Sequence, residues 1–113
     1  MKKDNQELVS LIESLMKAKK PIWKRIAKDL SRSRRRRVEV NLSKIEQYAA
    51  DDSTVLVPGK VLGSGNISKK VTIAAYSFSG SAKKLIAESG GKAVTIESLH
   101  KSNPDGKGIT ILS

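Results

Sequence analysis

Residues 31–37 contain no apolar side chain and no periodicity, so this stretch has nothing to bury in a core. It is also the densest part of a basic run. Residues 17–37 hold eleven Lys or Arg against one acid, Asp29, and so carry +10 of the chain's net +11. Charge at that density repels itself until a polyanion neutralises it. Nucleic acid gains most from doing so, because bound Lys and Arg release the counterions condensed on its phosphates. A solvated face or a targeting tag is the bland reading of a charge run, and it suits runs of two or three residues better than one of this length.

The 113 residues give room for one small domain with a modest core. The absence of cysteine excludes disulfides, thiolate nucleophiles and Cys-ligated zinc, and the lone His100 cannot make a His-rich metal site. No apolar run approaches the length of a membrane span. The first residues, with Asp4, Asn5, Gln6 and Glu7 after two lysines, lack a signal-peptide core. The expected location is inside the cell, in solution or in an assembly.

The halves of the chain differ. Residues 1–50 carry 14 basic and 6 acidic side chains, and residues 51–113 carry 8 and 5. In the first half, Leu8, Leu11, Ile12, Leu15 and Met16 recur with helical period, which predicts a helix over 5–18 capped by Asp4 or Asn5. Pro21 suits the first position of a second helix, lined on one side by Ile22, Ile26, Ala27 and Leu30, which leaves Lys24, Arg25 and Lys28 largely away from the core. Residues 31–37 read as an exposed arm that orders only against a partner.

Beyond the arm the period changes. Val38 and Val40 alternate as in a strand, and Ser43 with Glu46 spells a capping box for a helix holding Ile45, Tyr48 and Ala49. Val55 and Val57 lead to Pro58-Gly59, residues 60–62 follow, and Gly63-Ser64-Gly65 turns the chain. Residues 71–78 form the most apolar β-prone run and are expected as a central strand. Ser79 or Ser81 can cap a helix with Ala82, Leu85, Ile86 and Ala87, which Gly90-Gly91 ends. A strand near 93–96, a helical turn over 97–101, a turn at Asn103-Pro104-Asp105-Gly106 and a last strand over 109–112 complete the order. The predicted organisation is α/β: helices over 1–30, a basic arm over 31–37 and an α/β core over 38–113.

Arg32, Arg34, Arg35, Arg36 and Arg37 offer planar, bidentate forks for phosphates and faces that stack on exposed bases. DNA, heparin-like polymers and import receptors also accept basic runs, so the arm alone does not choose its ligand. The aromatic residues, Trp23, Tyr48, Tyr76 and Phe78, are not interleaved with the arginines, which argues against a single-strand stacking platform and for recognition of backbone and shape. Trp23 itself reads as a core residue. Gly59, Gly63 and Gly65 fit neither a Walker loop nor a dinucleotide fingerprint. Their structural reading is tight turns needing positive φ. The functional one is that Lys60, Ser64, Asn66, Lys69 and Lys70 decorate those turns as phosphate ligands. His100 reads as a surface residue and Asp51-Asp52 as a helix-end turn, so no catalytic constellation emerges.

The run Lys28-Asp29-Leu30-Ser31-Arg32-Ser33-Arg34-Arg35-Arg36-Arg37, followed by Val40-Asn41-Leu42-Ser43-Lys44-Ile45, resembles the signature of the archaeal and eukaryotic large-subunit ribosomal protein eighteen-e family. Residues 55–65 look like that family's second block, and residues 71–91 resemble the strand, Phe-Ser and helix-Gly-Gly stretch it shares with bacterial large-subunit ribosomal protein fifteen. The similarity covers nearly the whole chain. It implies an α/β fold of irregular β-β-α layers after two N-terminal helices. It further implies a structural component of the large ribosomal subunit in the cytoplasm that clamps 23S-type ribosomal RNA beside other ribosomal proteins, with no catalysis, cofactor, small-molecule substrate or membrane. The candidate ligands of the RNA are then Arg32 and Arg34 to Arg37 on the arm, Lys19, Lys20, Lys24, Arg25 and Lys28 on and before the second helix, and Lys60, Ser64, Lys69 and Lys70 as a second contact. The rival readings are an architectural DNA-binding protein and a small nucleotide-using enzyme.

Overall fold

A computed structural model of the chain describes residues 2–31 and 38–113. The elements are α1 (Lys2–Met16), α2 (Pro21–Leu30), β1 (Val38–Asn41), α3 (Leu42–Tyr48), β2 (Thr54–Leu62), β3 (Thr72–Phe78), α4 (Gly80–Glu88), β4 (Lys92–Thr95), α5 (Ile96–Ser102) and β5 (Ile109–Ile111). The five strands form one parallel sheet in the order β1-β2-β3-β4. β5 returns to β2, pairing with its first residues (Thr54↔Ile109 to Leu56↔Ile111), while β1 pairs with its last ones (Val38↔Gly59 to Asn41↔Leu62), so the two share one edge of β2.

A parallel sheet has to be covered on both faces, and β2 is accordingly apolar without interruption at Val55, Leu56 and Val57, all fully buried. Val55, Val57, Ile73 and Ala75 join one core with Leu42 and Ile45 of α3 and Ala82 and Ile86 of α4. Leu56 and Ala74, pointing the other way, join a second core with Leu8 and Leu15 of α1, Trp23, Ile26, Ala27 and Leu30 of α2, and Ile96 and Leu99 of α5. The two N-terminal helices are thus one wall of the sheet. Met16, predicted on the apolar stripe of α1, remains exposed, and α1 begins at Lys2, which places the expected caps at positions 4 and 5 inside the helix.

Trp23 locks this wall. It is completely buried, its indole N–H donates to the Pro104 carbonyl at 2.8 Å, and its ring lies 4.7 Å from that of His100. His100, expected at the surface, is half-buried there because α5 packs directly on α2. The predicted turn at 103–106 forms, closed by the Gly106 N–H on the Asn103 carbonyl. Ser79 caps α4 by accepting from the Ala82 N–H at 3.2 Å, and Gly90, at φ +85°, ends the helix in the left-handed region.

The Pro58-Gly59 pair, which as a sequence suggests a break, lies within the continuous strand β2. One extra residue is absorbed there, since the register with β3 shifts between Val57 and Lys60. A bulge is where a central strand can hold a proline that has no N–H to donate. Gly59 is required by β1 rather than by a turn: a Cβ there would lie 2.0 Å from the Val38 carbonyl oxygen. Gly80 opens α4 with nothing within 4 Å of such a Cβ. Gly59→Ala should therefore cost about 1–3 kcal/mol through overpacking of the β1–β2 pair. Gly80→Ala should be neutral or stabilising by up to about 1 kcal/mol. Urea midpoints of the two variants check this, and equal effects would show that the approach of β1 does not constrain Gly59.

Candidate nucleic-acid interface

α2 separates its roles by face. Trp23, Ile26, Ala27 and Leu30 are buried, while Lys24, Arg25 and Lys28 are exposed, and Lys19 and Lys20 stand exposed just before the helix. A shallow concavity on this face is lined by Pro21, Lys24, Arg25, Lys28 and Asp29. The helix is poorly tuned for its own stability. Lys20 occupies the N-cap with extended backbone (φ −86°, ψ 137°) but no side-chain cap bond, and no acid lies in the first turn. Two cations therefore sit at the positive end of the helix dipole, and Lys24 and Lys28 repel each other at i, i+4. An anion on this face relieves all three penalties.

Arg32, Arg34, Arg35, Arg36 and Arg37 lie outside the described residues. What is described is how the segment is anchored. Ser31 ends α2, with its N–H and hydroxyl both donating to the Ala27 carbonyl, and Val38 opens β1. Lys60 is exposed on β2 as the register partner of Glu39. Its neighbour Val61 points into the core of α3 and α4, so the alternation of the strand turns Lys60 towards the opposite face of the sheet, the one that α2 covers.

Ser64, Lys69 and Lys70 fall elsewhere, on the connection between β2 and β3, which packs against α3 on the other side of the sheet. The candidate residues are therefore not one cluster. Ser64 is exposed, and its carbonyl accepts from the Ser43 N–H. The ammonium of Lys69 donates to the carbonyls of Glu46 (2.7 Å) and Ala49 (2.8 Å), satisfying two acceptors that the end of α3 leaves over. Two of its three N–H donors are thereby committed within the protein. Lys70 is exposed, its N–H held by Asp51 Oδ1 at 2.8 Å and its carbonyl by the Asp52 N–H at 2.7 Å. Of the glycines expected in turns here, Gly65 does have positive φ (+88°).

The capping box predicted at Ser43 and Glu46 does not form. β1 runs straight into α3, which places the N-cap at Asn41, without a side-chain cap bond, and Ser43 inside the first turn. Glu46 instead accepts from Ser68 twice, from its N–H (3.1 Å) and from its hydroxyl (2.6 Å). The sequence holds no sign of this pairing, because 22 residues separate the partners. Other cations that were not singled out, Lys83, Lys84 and Lys92, are exposed on α4 and β4, and Tyr48 is a 60% exposed aromatic at the end of α3. Among the described residues no group of His, Cys, Asp and Glu is placed to hold a metal ion, and no helix is long and apolar enough to cross a membrane.

The Ser68 hydroxyl and then its N–H, with smaller help from the Lys69 backbone N–H and last the Lys69 charge, hold the Glu46 carboxyl below its ordinary range against a partial loss of hydration. A depressed carboxyl pKa means that the native state binds its proton less readily than the unfolded chain does. The stabilisation is complete above the ordinary glutamate value of about 4.3 and is lost as pH falls through the native value. The gap in Tm between the wild-type protein and Glu46→Gln should thus narrow on acidification below about pH 4.3. A gap that stays constant would show that the carboxylate charge is not what binds Ser68.

Residues 4–113 match the family model described as Ribosomal protein 60S L18 and 50S L18e. The large ribosomal subunit protein eL18 of Archaeoglobus fulgidus is 48% identical to this chain over 99% of both lengths. That of Methanococcus maripaludis is 48% identical over 91% of this chain and 86% of its own length, and that of Haloarcula marismortui is 44% identical over 99% of both. With the match extending from α1 to the last residue, the chain belongs to the family of Ribosomal protein 60S L18 and 50S L18e.

Proposed function

We propose that the protein is a structural constituent of the large ribosomal subunit, in the cytoplasm, and that it clamps large-subunit, 23S-type ribosomal RNA without catalysis or cofactor. The carrying observation is α2, a core helix whose outer face assembles Lys19, Lys20, Lys24, Arg25 and Lys28 with electrostatic costs that an anion removes. Its relatives are named as large ribosomal subunit proteins, which supports ribosomal RNA over the other polyanions this face could accept. The arginine arm continues from the end of α2 to the start of β1, with Lys60 turned to the same side of the sheet. Ser64, Lys69 and Lys70 offer a second contact on the other side. A body with cations on two sides bridges RNA strands and screens their mutual repulsion. Neighbouring large-subunit proteins are its further partners.

Replacing Arg34 to Arg37, or Lys24, Arg25 and Lys28, with Ala should weaken binding to transcribed large-subunit ribosomal RNA. It should also flatten the dependence of log K on log salt by about 0.7–0.9 per lost phosphate contact, with the fold unchanged by circular dichroism. An unaltered slope would remove those residues from the interface. In a sucrose gradient at roughly 0.5 M salt, the wild-type protein should stay on large subunits in stoichiometric amount, and its release to the top or with DNA would overturn the assignment.

Lys20→Ser should separate stability from binding. Supplying the missing cap should stabilise the protein by about 0.5–1 kcal/mol while lowering RNA affinity. An equal or higher affinity would show that Lys20 does not face phosphate.

A further inference from the structure

Glu46 and Asp51 have the wrong sign for a surface that meets a polyanion, yet both act on the segment that carries Ser64 and Lys70. Glu46 spends both carboxylate oxygens on Ser68, Oε1 on its N–H and Oε2 on its hydroxyl. Asp51 receives the Lys70 N–H. The Lys69 ammonium reaches back to the end of the same helix, and the Ser64 carbonyl is tied to its first turn through the Ser43 N–H. The connection between β2 and β3, which lacks a helix or strand of its own, is thereby fastened to α3 at residues 64, 68 and 69 and to the turn between α3 and β2 at residue 70.

We infer that Glu46 is a positioning residue for RNA binding: its carboxylate holds the β2–β3 connection against α3 so that Ser64 and Lys70 meet phosphates in a fixed geometry. This rests on the reading of that connection as an RNA contact. The contact favours a glutamate. An ionised carboxylate accepts from both Ser68 donors in charge-assisted bonds. Gln keeps both contacts only if the Ser68 hydroxyl turns to accept from its N–H, in weaker neutral bonds, and Asp is a methylene shorter. Preorganisation lowers the ordering cost charged against binding.

The inference opposes simple electrostatics. Neutralising an acid near a polyanion should raise affinity, whereas releasing a clamp should lower it. Binding to transcribed archaeal large-subunit ribosomal RNA is measured at a temperature where circular dichroism shows every variant folded. Glu46→Gln and Ser68→Ala should each lower affinity by about threefold to tenfold with the salt slope unchanged. The double variant should be no weaker than either single one, because both break the same contact. The Ser68 amide should exchange hydrogen faster in Glu46→Gln. Glu88→Gln, an exposed acid on α4, should leave affinity equal or higher. Lys70→Ala tests the underlying reading separately: it should lower both affinity and slope, and if it changes neither, the connection does not touch RNA and the inference falls with that reading. If Lys70→Ala behaves as expected while Glu46→Gln binds as tightly as wild type or more tightly, the contact stands and the positioning role of Glu46 is refuted.

Discussion

The docking of α2 onto the sheet is the contact on which the other features depend. A parallel sheet exposes apolar side chains on both faces, and here the face holding Leu56 and Ala74 is closed by the two N-terminal helices together with α5. Trp23 is the centre of that closure, touching His100 on α5 and donating to Pro104, a residue 81 positions away. The strongly basic half of the chain is thereby carried by the core. Once α2 is fixed from below by four buried side chains, its upper face is free of any duty to packing, and cations can be placed on it at will.

That division lets the core beneath α2 hold a helix whose outer face is strongly basic. Mutual repulsion among Lys19, Lys20, Lys24, Arg25 and Lys28 opposes formation of α2, as does the absence of a capping side chain at Lys20. Each penalty is a few tenths of a kcal/mol to about 1 kcal/mol, whereas truncating a buried Trp costs about 3–5 kcal/mol. The core wins on magnitude. The helix is less favourable than its sequence could have made it, and in the proposed RNA complex phosphates on its outer face would offset the difference. On the α3 side the arrangement is reversed: acids hold a cationic connection in place.

The parts of the fold that were legible in the sequence are those written in short-range pattern. The apolar stripes of α1 and α2, the run forming β3, the Ser79 cap and the Gly90 stop each involve residues within a few positions of one another. What sequence pattern misjudged was set at long range. Pro58-Gly59 reads as a break, but pairing with β1 and β3 on either side keeps β2 continuous and turns the irregularity into a bulge. Ser43 and Glu46 have the spacing of a capping box, and the β1–α3 junction and Ser68 claim them for other bonds. His100 looks exposed until α5 is laid on Trp23. For the candidate interface the same rule holds: the cationic face of α2 was legible from periodicity, and the separation of Lys69 and Lys70 from it, by the thickness of the sheet, was not.

Lysines of equal charge are consequently not equal as candidate phosphate ligands, whatever the chain's net +11 suggests. Lys69 uses two of its three donors on carbonyls of α3, so a phosphate approaching it meets one remaining N–H and an ammonium already partly neutralised by helix-end dipoles. Lys101 pairs with Glu97 at 3.1 Å, an exposed contact worth little to stability that nonetheless offsets its charge towards a distant phosphate. Lys24, Arg25 and Lys28, by contrast, lie exposed on one rigid helix face. Counterion release counts phosphates neutralised rather than basic residues present. For the proposed RNA contact, the expected salt dependence therefore follows the cations that the fold leaves uncommitted rather than composition.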